Sequence, residues 1–435
     1  MNRAAPSSVL ALVLAAATLA PGTALAQSQG APPDESLFGD NADRGSGDQA
    51  WHASGRLTLE GAFLSETDLD PATALDEEAR IQPEARIDLT WTPDKDVEVG
   101  ISVEAGHDLD RRNGTWNGTE RLEVRELYLL VDDFLMKDFQ LQVGRQDVED
   151  GREWLYDAKL DGVRVAYDHR AWRIEAMWGR EQLVSANLLH PRPDRRKVDA
   201  WLFHAEYEVT RDWDVAAYVI KQNDLRASNI SPLTYGIQSE GRSGALGHWL
   251  ELALQQGESG SRRLDAWAID AGLIWYLPLP ARPALFAGYA RASGGGDAIT
   301  DRSFRQTGLQ DNEDRITGLG NVRYYGEALD PDLSNLEVWT LGLGLRPTRT
   351  SSLEVIAHRY RQSVADDNDL RGSPVAAIMN GTSRDVGTEI DIAVSTRLWR
   401  RTALEAKLGW FSPGQGFGNN RADAVLGKVR VVMRF

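Results

Sequence analysis

The groups able to do chemistry in this sequence are fixed charges set at alternate positions of short apolar segments. The chain ends GKVRVVMRF (427–435), in which Lys428, Arg430 and Arg434 oppose Val429, Val431, Met433 and Phe435. Successive side chains of a strand point to opposite faces, so the cations share one face and the apolar groups the other. Such cations attract anions, and a guanidinium stays charged and grips a carboxylate in a fork. Local signatures of other chemistry do not occur. The seven His residues show no H-E-x-x-H spacing and no Ser lies in G-x-S-x-G. No cofactor and no metal are expected. Asp366, Asp367 and Asp369 read as a solvated acidic loop tip rather than a cation site. Asn113, Asn117 and Asn380, each followed by Gly-Thr, read as turns rather than glycan acceptors.

A strand packed on a soluble core alternates in the same way as one facing lipid, and the N-terminus bears on the choice. MNRAAPSSVLALVLAAATLAPGTALAQ carries one Arg, an apolar run from Val9 to Ala20 and the pattern Ala24-Leu25-Ala26, a secretory signal over 1–26 cleaved before Gln27. No later stretch has the run of about 20 apolar residues that a spanning helix needs. The chain has no Cys, so it relies on its fold and not on disulfides. With 26% charged and 42% hydrophobic residues and a net charge of −17, it suits an acidic soluble protein and equally a transmembrane barrel, where half of each strand faces water. The acidic balance argues against nucleic acid as a partner.

Residues 27–50, rich in Gly, Pro, Ser and Asp, read as a flexible periplasmic lead-in. From 51 to 435 the chain falls into short alternating segments such as RLTLEGAFL (56–64), EARIDLTW (84–91) and VEVGISVEA (97–105), without long helical periodicity. Short links at 92–96, 132–138, 168–171, 210–212, 277–282, 347–351 and 398–402 alternate with long ones at 65–79, 106–119, 147–158, 181–196, 293–335, 364–384 and 412–422. Reading SPLTYGIQSEGR (231–242) as a weak strand, with a turn near Ser243, completes the alternation. The expected fold is all-β: one antiparallel transmembrane barrel of about 18 strands, with short periplasmic turns and long extracellular loops. Trp91, Trp172, Trp213, Tyr276 and Trp399 stand at proposed short turns, where an inner aromatic girdle belongs. Similarity to outer-membrane barrels implies that Phe435 is read by the assembly machinery.

A cation on the lipid face costs roughly 2–4 kcal/mol near the midplane, so the charged face lines a wet lumen. The inward cations are Arg56, Arg80, Arg86, Arg164, Arg173, Arg397, Lys407, Lys428, Arg430 and Arg434. Against these ten stand eleven inward carboxylates: Glu60, Glu84, Asp88, Glu98, Glu104, Glu175, Glu206, Glu208, Glu389, Asp391 and Glu405. The lumen is therefore close to neutral, and selectivity for a polyanion requires clustering at one depth or contributions from infolded loops.

GRQDVEDGREWLYDAKLDGVRV (144–165) resembles the alginate export family of outer-membrane barrels, as do RYYGEALDPDLSNLEVWTLGLGLRP (323–347), GTEIDIAVS (387–395) and DAWAIDAGLIWY (265–276). The resemblance spans most of 51–435 and implies a lumen lined by Arg and Lys that leads a uronate polymer outward without covalent chemistry. It implies that Arg145, Arg152 and Arg164 touch the polymer, with Asp157 and Asp161 holding the arginines in place. The same residues read alternatively as pairs that brace a loop. Leu141 and Val143 put Arg145 on the lipid phase unless Gly144 forms a bulge.

The expected function is passive export of an anionic, alginate-like exopolysaccharide. The expected partners are outer-membrane lipid, the polymer or a small anionic solute, and a periplasmic scaffold of a secretion complex. A porin for small anionic or sugar-derived solutes is the alternative. An enzyme is not expected, although a barrel hydrolase can assemble its site from separate strands.

Overall fold

The computed structural model describes residues 50–435 apart from 74–76, 113, 182, 190–197, 225–229, 369 and 420. The expected signal, residues 27–49 of the lead-in, Asn113 and Asp369 lie outside the described residues.

Eighteen antiparallel strands close into a barrel. They are β1 (Ala50–Ser65), β2 (Glu78–Asp94), β3 (Val97–Arg112), β4 (Thr115–Val131), β5 (Phe139–Glu149) and β6 (Asp157–His169). Next come β7 (Trp172–Arg180), β8 (Val198–Thr210), β9 (Trp213–Asp224), β10 (Ile230–Ser243), β11 (Leu246–Ser259) and β12 (Arg262–Tyr276). The last six are β13 (Ala284–Ala292), β14 (Leu336–Thr348), β15 (Ser351–Gln362), β16 (Asp385–Trp399), β17 (Thr402–Pro413) and β18 (Ala424–Arg434). The ring shuts where β1 pairs with β18, Arg56 opposite Arg434 through Ser65 opposite Val425. Among the described residues no helix is long and apolar enough to cross a membrane; the strands cross it, each bonded on both sides so that the sheet has no edge.

Two expectations need correction. The long outer link at 106–119 is mostly strand, because β3 and β4 stay paired up to Arg112 opposite Thr115. These residues, rich in Asp, Arg, Asn and Thr, have no apolar alternation to read, yet the backbone ladder continues without it. Tyr276 also does not join the inner girdle. It turns inward under the Arg242 guanidinium, 4.1 Å from its ring centre, while the adjacent Trp275 is 52% exposed on the outer face. Trp91, stacked on Trp51 at 5.6 Å, and Trp172, beside Tyr207 at 4.9 Å, keep the girdle positions expected of them.

The segment 293–335 folds into the barrel and packs on the inner wall of β14–β17. Phe304, Leu319, Val322, Tyr325, Leu329 and Leu333 are buried there. The sequence LGLGL (341–345) of β14 shows how the wall admits it: Leu341 and Leu343 are exposed on the outer face, Gly344 leaves a recess inside for the segment, and Gly342 makes room for the Phe286 ring of β13. A Cβ at Gly344 would lie 1.8 Å from Oγ1 of Thr317. The same segment also reaches across the lumen, where Gln222 of β9 and Gln255 of β11 donate to the carbonyls of Thr307 and Arg305 at 2.7 and 2.8 Å.

Candidate functional site

Where the ring closes, arginines of three neighbouring strands meet at one level. Arg56 of β1 stands opposite Arg86 of β2 and opposite Arg434 of β18. Arg86 is held by Asp88 (Nε–Oδ1 2.6 Å) and Glu126 (Nη2–Oε1 2.8 Å). Lys428 lies 3.3 Å from Glu60, and Arg430 lies 3.9 Å from both Glu60 and Glu405. No carboxylate lies within 4.0 Å of Arg56 among the described residues, and its charged neighbours include Arg86, Arg430 and Arg434. Further along β2–β4 the balance reverses. Arg121 is ringed by Glu84, Glu104 (2.7 Å) and Asp108 (3.3 Å), and Arg80 pairs with Asp110 at 2.6 Å. Arg121 went unrecognised in the sequence because Arg125 is an extra residue in β4, facing the step from Ser102 to Val103, and shifts the alternation there.

The three motif arginines have three different settings. Arg164 of β6 pairs with Glu175 of β7, which Arg173 also reaches at 3.0 Å; these groups border a lumen cavity of about 560 Å³. Arg152 is 4% exposed. Its Nη2 lies 3.2 Å from Oδ2 of Asp270, and its guanidinium carbon is 4.3 Å from the Tyr324 ring centre and 5.1 Å from that of Trp249. Asp270 also accepts from the Tyr325 hydroxyl at 2.9 Å, which in turn accepts from Nε1 of Trp154 at 2.8 Å. Arg152 therefore ties the 150–156 loop to β12 and to the infolded segment, and it lines the same cavity as Arg164.

Arg145 is engaged differently again. The ladder between β5 and β6 runs through Gly144 without a shift, so Arg145 keeps the phase of Val143, which is 39% exposed. Its guanidinium is taken up by Asp161 (2.6 and 2.8 Å), the Val124 carbonyl (3.0 Å) and the Val184 carbonyl. Asp157 holds none of these arginines; its carboxylate lies within 4.8 Å of those of Glu153 and Asp311. Lys407, expected on the lumen surface, is 6% exposed and bonded to Glu313 and Glu327, both at 2.9 Å. Arg397 is half-buried near the periplasmic end of β16, where its N–H donates to the Thr350 carbonyl at 2.8 Å.

The pattern of strands, motif and wall recess extends over nearly the whole chain, and residues 56–430 match the alginate export family. The chain belongs to that family. Alginate production protein AlgE of Azotobacter vinelandii is 33% identical over 154 residues, covering 34% of this chain and 31% of that protein. AlgE of Pseudomonas aeruginosa is 30% identical over 171 residues, covering 36% and 34%. The chain thus spans about a third of the length of the curated relatives it matches. Among solved structures, OccK2 (OpdF) of P. aeruginosa aligns with a TM-score of 0.58 at 12% identity, over 89% of this chain and 99% of that one. OccK11 (OpdR) of the same organism aligns with a TM-score of 0.56 at 14% identity, over 88% and 96%. At such identities these two show the fold alone. Family and fold together make this alginate export family member an outer-membrane β-barrel.

In this family member the 150–156 loop adds a feature that its sequence did not announce. Glu153 has a left-handed backbone (φ 51°) and its carbonyl accepts the N–H groups of Asp311 (3.2 Å) and Asn312 (3.0 Å). Burial, followed by the charges of Asp157, Glu313 and Asp311, pushes the Glu153 carboxyl up to about 9. Asp150 anchors the same loop by accepting from the N–H groups of Trp154, Leu155 and Tyr156 at 3.3, 2.9 and 2.8 Å.

Proposed function

We propose that the protein is a passive outer-membrane conduit for an anionic exopolysaccharide of the alginate type, whose carboxylates pass along Arg56, Arg86, Lys428, Arg430 and Arg434. The observation that carries this reading is the level row Arg86–Arg56–Arg434 across β2, β1 and β18, with Arg56 the least compensated of the three. Charges concentrated at one depth attract a polyanion even where the whole lumen is near neutral. Loosely paired cations suit conduction, because a site must bind well enough to admit an ion and weakly enough to release it. Arg164 contributes from the side cavity, and Arg145, Arg152 and Lys407 serve the conduit by holding its parts together. Lipid surrounds the outer face, and a periplasmic scaffold delivers polymer to the inner turns.

Planar-bilayer recording tests this. The channel is expected to prefer anions, to be blocked by uronate oligomers, and to lose both properties in the Arg56→Glu, Arg430→Glu double variant. Anion preference with no block by uronate oligomers would instead support a porin for small anionic or sugar-derived solutes, and cation preference would overturn the anionic readings. That second reading is favoured by one observation, the narrowing of the lumen by residues 293–335.

A further inference from the structure

We propose that Lys407 is a positioning residue that fixes segment 313–329 permanently against β14–β17, so that this segment sets the bore of the channel as an inner wall and does not swing out as a gate. The proposal deepens the conduit reading and rests on it only for the electrical readout.

Lys407 is the one basic side chain of β17 within the barrel wall, and both of its ion pairs run to the infolded segment, to Glu313 and Glu327 at 2.9 Å each. The two preceding strands, β15 and β16, hold the same segment through its backbone. Glu389 of β16 accepts the N–H groups of Ala328 (2.6 Å) and Leu329 (3.0 Å). Glu354 of β15 accepts from the N–H and hydroxyl of Thr317 at 3.2 and 2.6 Å, and Oγ of Ser352 accepts from the Leu319 N–H at 2.9 Å. Oη of Tyr360 donates to the Tyr325 carbonyl at 3.0 Å. Glu354, Glu389 and Tyr360 are each no more than 1% exposed.

Swinging the segment out would strip Glu354 of its Thr317 donors and Glu389 of the Ala328 and Leu329 N–H groups, with the Tyr360 hydroxyl at 3.1 Å staying on Glu389, while the lysine lost both counter-charges. Unpaired buried groups of this kind are strongly disfavoured. A gate is drawn from loosely held elements. This segment is laced to three consecutive strands, β15, β16 and β17.

Single-channel recording in chloride salt and hydrogen exchange of the detergent-solubilised barrel test the proposal together. In Lys407→Met, conductance should rise several-fold with frequent substates, and amides of 317–329 should lose protection while strand amides keep theirs. Lys407→Arg should restore the low, steady conductance. If Lys407→Met does not fold, judged by loss of heat-modifiable gel migration, a disulfide decides. The Cβ of Gly320→Cys would lie 3.0 Å from that of Ser395→Cys, a few tenths of an ångström short of the usual span, and the chain has no other cysteine. Oxidised and reduced channels are expected to conduct alike. Conductance lost on oxidation and regained on reduction would overturn the proposal, as would unchanged current and protection in a folded Lys407→Met. Absence of any current in the native protein counts against the conduit reading alone, since exchange still reports the anchoring.

Discussion

Arg145 and Asp161 face each other across β5 and β6 in a two-pronged pair, Nε–Oδ1 2.6 Å and Nη2–Oδ2 2.8 Å, and both are less than 10% exposed. The pair pins a strap. β4 meets β5 only over Leu127–Val131, and above that level the segment 183–189 takes the place of β5. Val124 donates to the Ala186 carbonyl (3.1 Å) and Leu188 to that of Leu122 (2.8 Å). Asp161 accepts the N–H groups of Leu183 and Val184 at 2.8 and 3.1 Å, while Arg145 binds the carbonyls of Val124 and Val184.

Removing one partner of a buried ion pair costs about 3–5 kcal/mol, so Arg145→Ala is expected to lose stability on that scale. Lys, which keeps the charge but not the fork, should recover only part of it. The urea midpoint of heat-modifiable migration measures the loss, and protease cleavage within 183–189 should appear in Arg145→Ala before the barrel unfolds. A midpoint equal to that of the native protein would show that the pair braces nothing.

The 150–156 loop should respond to pH. An unfolded Glu ionises near pH 4.3, whereas Glu153 in the fold holds its proton to about 9. The folded state therefore binds the extra proton, and by linkage its advantage is complete below about pH 4.3 and is lost progressively as pH rises toward 9. Glu153→Gln, which stays neutral, should match the native protein at pH 4 and exceed it in urea resistance by a margin growing up to pH 9. A margin that shrank with rising pH would assign the wrong protonation state to this carboxyl.

The two sides of the wall give a spectroscopic prediction. Trp275 is 52% exposed on the outer face and Tyr276 turns into the lumen. Brominated lipid should quench less total tryptophan fluorescence in Trp275→Phe than in the native barrel. Exchanging Tyr276 for Trp should add emission that brominated lipid leaves untouched and that aqueous iodide reduces.

The strand count and the inward positions of β1, β2, β16 and β18 were legible because lipid on one side and water on the other impose a period of two. Arg56, Arg86, Lys428 and Arg430 therefore fell where the alternation put them. The pattern failed wherever the two solvents were not lipid and water. Residues 107–112 and 115–119 are mostly polar on both faces, so strand looked like loop. Lys407 and Glu389 belong to an inner face covered by protein, where a charge signals an anchor and not a wall of water. Arg145 lies beneath a strap formed by residues about 40 positions later in the chain, and no local window contains both. The recess was written plainly in LGLGL (341–345), since inward glycines on alternate positions imply neighbours packed against them, but only the insert itself reveals what fills it.

That recess supplies a prediction of opposite sign to the loss of Lys407. At Gly344 a Cβ would fall 1.8 Å from Oγ1 and 2.7 Å from Cβ of Thr317, so the contact lies partly with atoms fixed to the insert's backbone. Thr317 is itself bound to Glu354 through its N–H and hydroxyl, and the Arg346 side chain donates to the carbonyls of Thr317 and Gly318 at 3.1 and 2.8 Å. A branched side chain in the recess cannot move outward, because β14 is bonded to β13 and β15 along this stretch. The insert must yield instead, toward the lumen. Gly344→Val is therefore expected to narrow the conduit and lower single-channel conductance, with a stability cost of about 1–3 kcal/mol typical of overpacking. Gly344→Ala should show the same direction with a smaller change. If Gly344→Val folded and conducted more than the native channel, the segment would be shown to leave the lumen when pushed, and its role as a fixed inner wall would fail.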